Sequence, residues 1–241
     1  MWPEGGAPRL EDLAPSSTLV VYLHGNSMDR GFGHRVALYQ VLLKLGWSVL
    51  AVDYRSYGDS SRVRLSEQSV VEDGVAVLSW LEESLGPDPP QVVLWGHSLG
   101  TAIATQALVR ANYTGVAGLV LESPFNTMED EVKHFKVAQL TAWLGGFNIQ
   151  EELRKAGVEF LTDQWLAQVH TQSMVVRMWP NYSTQTEAHS QVDCSTRLYS
   201  QVSVPVLVLH SDDDPVVPAS LGQRLVDTVR EQGKEDVQIV R

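Results

Sequence analysis

Short apolar runs alternate along the chain with longer segments of helical periodicity. Five runs rich in Val and Leu are continuously apolar, as strands are when helices cover both faces of a sheet: Thr18–Leu23, Ser48–Val52, and residues 91–95, 119–121 and 204–209. Residues 236–240 are a weaker sixth candidate. Four segments carry their apolar residues on one helical stripe: residues 35–45, 71–85, 99–110 and 220–230. This alternation predicts an α/β fold with a mostly parallel sheet, right-handed crossovers and helices on both faces.

One interval interrupts the alternation. Residues 126–203 separate two predicted strands, whereas connections of this kind usually have about 2–6 residues. The interval contains two stretches of helical period, an apolar stretch and three tryptophans: residues 129–144, 159–170 and 174–178, and Trp143, Trp165 and Trp179. We expect an inserted helical cap over the C-terminal edge of a core formed by residues 18–125 and 204–241. The alternative is an inserted subdomain whose tryptophans serve ordinary packing.

The strongest chemical signal is Gly96-His97-Ser98-Leu99-Gly100. It follows a predicted strand directly and precedes a predicted helix. A serine on so tight a turn has a strained backbone and needs small residues two before and two after it. The turn holds the hydroxyl clear of the sheet beside the helix N-terminus. We therefore predict that Ser98 is a catalytic nucleophile, with a purely structural turn as the alternative.

Acyl transfer also needs hydrogen-bond donors for the oxyanion, each contributing about 2.7–4 kcal/mol. The backbone N–H of Leu99 is one candidate because of its place in the turn. The second is the N–H of Asn26, since His24-Gly25-Asn26-Ser27 follows the first predicted strand. We expect His24 to be a buried residue that orients this loop; a catalytic base at His24 is the alternative.

The acid of a catalytic triad is expected after a later strand. Residues 204–209 lead into His210-Ser211-Asp212-Asp213-Asp214-Pro215-Val216-Val217-Pro218. Asp214 is preferred because it stands four residues before Pro218, the spacing of the D-x-x-V-P loop in this fold. Asp212 and Asp213 are expected to be solvated or to cap the loop. Glu122, at the end of another strand, is an alternative acid.

Composition excludes several other classes. The net charge is −11, from 29 acidic and 18 basic residues, which disfavours a nucleic-acid or anionic-membrane surface. No apolar run approaches the roughly 20 residues of a membrane helix, and residues 1–17 lack the pattern of a signal peptide, so these residues predict a soluble domain. The single cysteine, Cys194, excludes an internal disulfide and any multi-cysteine metal site. No feature indicates a metal or an organic cofactor.

Several blocks together resemble the lysophosphatidylserine lipases, which are α/β-hydrolase-domain proteins that also act on monoacylglycerols. The blocks are YLHGN (22–26), HRVALYQVL (34–42), DYRSYGDS (53–60), WGHSLGTA (95–102), LVLESPF (119–125) and LHSDDDPVVP (209–218). The resemblance implies a serine lipase for single-chain lipid esters, with its catalytic domain in the lumen of the endoplasmic reticulum and an anchor in that membrane. The glycosylation sequons at Asn112 and Asn181 would be relevant only if the domain lies in that lumen.

The chain departs from that family in ways that predict a fragment of a longer enzyme. It has no membrane helix, and the usual first two strands of the fold are absent. In this fold the base is a histidine that follows the acid, yet the seven histidines all precede Asp214. His134, His170 or His189 would be the substitute if the insertion folded over the site. The alternatives are a serine peptidase or small-ester esterase of the same fold, or a catalytically dead binding module.

Overall fold

A computed structural model describes residues 9–111, 113–134, 155, 157–169, 174–179, 204–231 and 237–240. Its strands are β1 (Thr18–Leu23), β2 (Ser48–Val52), β3 (Gln91–His97), β4 (Val116–Glu122), β5 (Met174–Trp179), β6 (Val206–Ser211) and β7 (Val237–Val240). Its α-helices are α1 (Gly33–Lys44), α2 (Glu67–Ser84), α3 (Leu99–Arg110), α4 (Met128–His134), α5 (Thr162–Leu166) and α6 (Ala219–Glu231), and a short 3-10 helix covers Leu10–Asp12. All six predicted strands and all four core helices are present, with ends that differ by a few residues.

The strands form one sheet in the order β2-β1-β3-β4-β6-β5-β7, and every described pair is parallel. This confirms the predicted α/β architecture. From β1 the chain crosses to β2, towards one edge of the sheet. From β3 it crosses to β4, towards the other edge. Right-handed crossovers in opposite directions place their helices on opposite faces. The carboxyl ends of β1 and β3 therefore lie at a switch point, where parallel sheets form their ligand crevices.

Helices α2 and α3 pack closely over one face of the sheet. Val92 and Leu94 of β3 are buried together with Ile103 and Ala107 of α3. A Cβ at Gly74 of α2 would lie only 3.0 Å from the Cβ of Ala107, so a glycine there permits the close approach of the two helices. This packing fixes α3, and with it the residue just before α3, relative to the sheet.

The strands of the sheet differ in how completely they are buried. In β1 the five residues 19–23 are all buried, as the continuous apolar run predicts. In β3 and β6, by contrast, buried residues alternate with half-buried ones. The face covered by α2 and α3 is sealed more tightly than the opposite face. The continuous apolar runs therefore identified these strands correctly. They also predicted full burial of both faces, whereas the face opposite α2 and α3 is only partly buried in β3 and β6.

The inserted interval differs from the expected helical cap in two described places. Within the described residues 159–169 only α5 is helical, and the predicted helix begins late because Phe160 has a left-handed backbone (φ 43°) that a helix cannot include. Residues 174–178, expected in the cap, belong to strand β5, which pairs with β6 and β7 inside the sheet. Phe160 and Leu166 join the main hydrophobic core. The interval thus contributes to the core domain, while most of its residues lie outside the described ranges, Trp143 among them.

None of the helices in the described ranges combines the length and the apolar character needed to cross a membrane.

Candidate active site

Ser98 stands between the end of β3 and the start of α3. Its backbone has φ 50° and ψ −118°, which lies outside the regions that L-residues normally occupy. Strain of this kind persists only where the surroundings enforce it. The N–H of Ser98 donates to the carbonyl of Glu122 at 2.9 Å, and its carbonyl accepts from the N–H of Thr101 at 2.8 Å. The predicted strand–turn–helix elbow is therefore present.

The two glycines of the motif are required by sterics. A Cβ at Gly96 would lie 2.3 Å from the carbonyl oxygen of Gly100, and a Cβ at Gly100 would lie 2.0 Å from that of Leu23. Both distances fall far inside van der Waals contact with backbone atoms that cannot move aside. The elbow therefore packs directly on the backbone of β1, and that contact holds Ser98 in its strained conformation.

The loop after β1 lies against the nucleophile. A Cβ at Gly25 would lie 3.3 Å from the Cβ of Ser98, so the loop backbone approaches the serine closely. Asn26 follows, and its N–H donates to no acceptor in the described part of the chain. Leu99 occupies the first turn of α3, where N–H groups have no acceptor within the helix. The first turn of α3 also carries no acidic residue that would oppose an anion.

Side chains that the sequence analysis did not single out hold this loop. The carboxylate of Asp53 accepts from the backbone N–H of Arg30 at 2.6 Å and from its guanidinium. The hydroxyl of Tyr57 donates to Oδ1 of Asn26 at 2.7 Å, and that of Tyr54 donates to the carbonyl of His24 at 2.9 Å. A sequence signal that could have identified them is an aspartate with two tyrosines directly after a strand, within the block DYRSYGDS.

His24 is fully buried, as predicted for a residue that orients the loop. Its Nδ1 lies 2.7 Å from the carbonyl oxygen of Gly25, and its Nε2 lies 3.0 Å from Oδ1 of Asp53. Both ring nitrogens therefore face protein oxygens away from solvent. This geometry does not suit a general base, which must exchange protons with a substrate.

Asp214 is the one aspartate of the triplet that is turned inward. Its Oδ1 accepts from the backbone N–H groups of Val216 and Val217 at 2.8 and 2.9 Å, and its Oδ2 accepts from the hydroxyl of Ser123 at 2.7 Å. His210 anchors the same loop, since its Nε2 contacts the carbonyl of Val217 at 2.7 Å. The carboxylate is thus held in a single position at the carboxyl edge of the sheet.

The acid and the nucleophile are linked through two consecutive residues, the last of β4 and the first of the loop after it. The carbonyl of Glu122 accepts from Ser98, and the hydroxyl of Ser123 donates to Asp214. Ser123 has a left-handed backbone (φ 49°) and donates its N–H to the carbonyl of Leu209 at 2.7 Å. The fold therefore brings Ser98 and Asp214 to opposite sides of the same short segment.

The other acidic candidates have different surroundings. Asp212 and Asp213 are exposed, and the hydroxyl of Ser211 donates to Asp213. The carboxyl of Glu122 accepts from the indole N–H of Trp95 at 2.8 Å, and burial raises its pKa. A carboxyl that favours its neutral form is less suited than Asp214 to stabilise an imidazolium.

Sequence reasoning missed a second buried carboxyl beside the acid. Glu131 of α4 is only 6% exposed, and burial raises its pKa to about 7, with the nearby charge of Asp214 acting in the same direction. Its Oε2 has no hydrogen-bond partner among the described residues. No sequence signal identified it, because the position of a single glutamate on a short helix depends on tertiary packing.

The described histidines include two beside the nucleophile, His34 on α1 and His97 at the end of β3. His97 is next to Ser98, and burial, followed by the charge of Arg35, lowers its pKa to about 4. The rings of His34 and His97 are 5.7 Å apart between centroids. His170 and His189 lie outside the described residues, and for His134 the structure describes the backbone only.

The parallel sheet and the serine elbow define an α/β-hydrolase. Solved structures agree with this fold: Est1E of Butyrivibrio proteoclasticus matches with a TM-score of 0.61 at 14% identity, covering 97% of this chain and 82% of that one. The esterase Pf2001 of Pyrococcus furiosus matches with a TM-score of 0.60 at 17% identity, covering 93% and 71%. At such identities the likeness concerns the fold alone.

The chain belongs to the α/β-hydrolase family described as serine aminopeptidase, S33, whose model matches residues 14–239. Among curated proteins it is 33% identical to lysophosphatidylserine lipase ABHD12 of Macaca fascicularis over 93% of this chain and 47% of that protein. It is 30% identical to Protein ABHD12B of Homo sapiens over 95% and 55%. The chain therefore spans about half the length of these relatives.

Proposed function

We propose that this protein is a serine hydrolase that cleaves the carboxylic ester of a single-chain lipid, a lysophospholipid or a monoacylglycerol. The observation that carries the proposal is the strained Ser98, held at the N-terminus of α3 against the loop of Gly25. The similarity to proteins named lysophosphatidylserine lipase supports the lipid substrate. By the same similarity we propose a site of action at the endoplasmic reticulum membrane, with the domain in the lumen.

In the proposed reaction, the hydroxyl of Ser98 attacks the ester carbonyl and the resulting oxyanion accepts from the N–H groups of Asn26 and Leu99. The serine proton passes to a histidine that Asp214 orients, and from there to the leaving alcohol. Water then hydrolyses the acyl-enzyme by the same path. The carboxylate of Asp214 suits this role because three donors fix its position.

The histidine of this triad is the part that the described residues do not supply. All seven histidines precede Asp214, whereas in this fold the base follows the acid. We therefore propose that the 241 residues by themselves hydrolyse esters poorly. Rapid turnover by this polypeptide, once shown to be folded by circular dichroism, would show that His134, His170, His189 or another group acts as the base.

The nucleophile is tested with a fluorophosphonate probe on the full-length protein, which we expect to label Ser98. Ser98→Ala should abolish labelling, while Ser79→Ala, an exposed serine on α2, should leave it unchanged. Peptide mapping by mass spectrometry locates the adduct. Labelling that persists in Ser98→Ala, or no labelling in the natural protein, contradicts the proposal; the second result favours a binding module without catalysis.

A second candidate function is an aminopeptidase, because the matching family model carries that description. The two functions are separated by turnover of lysophosphatidylserine, monoacylglycerols of graded chain length and aminoacyl amides under one set of conditions. We expect kcat/KM to be highest for a single-chain lipid ester. A preference for the aminoacyl amides would assign the peptidase, and a preference for short water-soluble esters would assign a small-ester esterase.

A further inference from the structure

We propose that Arg35, a buried arginine on α1, is a positioning residue that orients the oxyanion-binding N–H of Asn26. The inference rests on the proposed function and concerns how its oxyanion site is held. Arg35 is 1% exposed, although it carries a permanent positive charge. An arginine is seldom buried in this way unless its donors are satisfied, since desolvation of the charge is costly.

The two Nη groups of Arg35 donate to one loop, whereas its Nε has no hydrogen-bond partner among the described residues. Its Nη1 donates to the carbonyl of Asp29 at 2.5 Å, and its Nη2 donates to the carbonyl of Ser27 at 2.6 Å. A weaker contact at 3.4 Å joins Nη2 to the carbonyl of Gly25. These three carbonyls belong to alternate residues on both sides of Asn26. The planar guanidinium, with several donors in a rigid fork, suits such a set in a way that a lysine ammonium does not.

The direction of the Asn26 N–H follows from the peptide plane. The carbonyl of Gly25 and the N–H of Asn26 belong to one planar trans unit, in which they point in opposite directions. The carbonyl of Gly25 is directed at Nδ1 of His24 and at Arg35. The N–H of Asn26 must therefore point away from both. Because the backbone of Gly25 approaches the Cβ of Ser98, this direction suits an acceptor above the nucleophile.

The charge of Arg35 also reaches the site. The guanidinium forms no ion pair with any carboxylate in the described part of the chain; its charge faces carbonyl oxygens and, at 6.0 Å, the ring of Phe32. After burial, it is the largest cause that lowers the pKa of His97, the residue preceding Ser98. A buried positive charge that disfavours another cation at the elbow favours an anion there. The same side chain thus orients an oxyanion donor and supplies a favourable field.

The test compares Arg35→Met and Arg35→Lys with Lys44→Met, an exposed residue at the other end of the same helix, in the full-length protein. With a p-nitrophenyl ester as substrate, Arg35→Met should lower kcat by about 10²-fold, the usual effect of losing one oxyanion donor. KM should change by less than about threefold, since a buried side chain does not touch the substrate. Arg35→Lys should give an intermediate kcat, and Lys44→Met should match the natural protein.

A second measurement does not depend on catalysis. Hydrogen–deuterium exchange of peptides covering residues 24–32 should become at least about tenfold faster in Arg35→Met than in Lys44→Met, with the remaining peptides unchanged. This measurement can be made even if the natural protein hydrolyses no ester. Such a result would contradict the proposed function, and the exchange rates would then decide by themselves whether Arg35 holds the loop. Unchanged exchange in this loop, or a folded Arg35→Met variant whose kcat is within threefold of the natural value, overturns the proposal. A general loss of protection across all peptides would assign Arg35 to overall stability, which also overturns it.

Discussion

The nucleophile and the acid of the candidate site are held in place by different forces. Ser98 is held by backbone packing, because Gly96 and Gly100 let the elbow touch the chain where no side chain would fit. Asp214 is held by hydrogen bonds from a hydroxyl and two backbone N–H groups. The backbone packing around Ser98 leaves no room for an added atom. The hydrogen-bonded loop of Asp214 can adjust to a change of shape, but its function depends on the charge of the carboxylate. The two regions should therefore fail in different ways.

The largest expected effect on stability is that of Gly100→Ala, which tests the packed region. The added Cβ would lie 2.0 Å from the carbonyl oxygen of Leu23, so the elbow must move. We expect a loss of at least about 3 kcal/mol in the free energy of unfolding, above the usual cost of overpacking, because the contact is with backbone. Fluorophosphonate labelling of Ser98 should fall by about 10²-fold or more, since a displacement of about 1 Å suffices for that.

Gly86→Ala is the matched control for Gly100→Ala. A Cβ at Gly86 would have no atom within 4 Å, so stability and labelling should remain those of the natural protein. Urea unfolding and probe labelling of the two variants are measured in parallel. Equal behaviour of the two variants would show that the elbow does not depend on direct backbone contact.

The hydrogen-bonded region is tested by Asp214→Asn. Asparagine preserves the shape and one acceptor oxygen but removes the charge that would stabilise an imidazolium. In a serine triad this change lowers kcat by about 10⁴-fold, and we expect an effect of that order in the full-length protein, with little change in unfolding temperature. Asp212→Asn, at an exposed neighbour, should alter kcat by less than about twofold. If Asp212→Asn proves the more damaging of the two, the acid is misassigned.

The packed region is also the one that the sequence predicted well. The strand before Ser98, the helix after it and the two glycines around it all follow from short-range steric demands, which leave a local signature. The geometry of His24 followed in the same way from a loop directly after a strand. Asp53 and Glu131 escaped notice because their roles depend on contacts with residues distant in sequence, such as Arg30 with Asp53. Arg35 escaped notice because its contacts with the preceding loop follow no helical or strand period.

The interval between β4 and β6 was predicted less well for a related reason. Helical period over residues 159–170 indicated a helix, but Phe160 takes a left-handed backbone that periodicity does not reveal. The apolar pattern of residues 174–178 is compatible with either a buried helix segment or a strand, since short apolar runs do not distinguish the two. Pairing with β6 and β7 decided the matter. The placement of a cap over the site stays a prediction for the rest of this interval.

Leu166→Ala tests whether the described part of the interval belongs to the core domain. Leu166 of α5 is fully buried in the same cluster as residues of β3 and α3. Its truncation should lower the free energy of unfolding by about 2–5 kcal/mol in a single cooperative transition. Leu43→Ala, at a side chain that is 54% exposed, should cost far less. A separate early transition in Leu166→Ala, with the main one unchanged, would instead indicate an independent cap.

The smallest expected effect concerns Glu131, which couples the interval to the acid loop. Its pKa is raised from the ordinary 4.5 to about 7, so the folded protein holds a proton that the unfolded chain releases. Between these values the folded state binds more protons than the unfolded state, and stability must fall as pH rises. The fall begins near pH 4.5 and is complete above about pH 7. A shift of this size corresponds to at most about 3 kcal/mol.

Glu131→Gln removes that dependence, because the amide mimics the neutral carboxyl at every pH. We expect the variant to resemble the natural protein near pH 4.5 and to exceed its free energy of unfolding by about 1–3 kcal/mol at pH 8. Urea titrations across this range measure the difference, with Glu129→Gln, an exposed residue of the same helix, as the control. The gain also depends on Asp214, whose charge adds to the pKa shift of Glu131. It should therefore be smaller in an Asp214→Asn background. A variant that follows the pH profile of the natural protein would show that Glu131 is ionised in the fold, and the carboxyl beside the acid loop would then need a cationic partner.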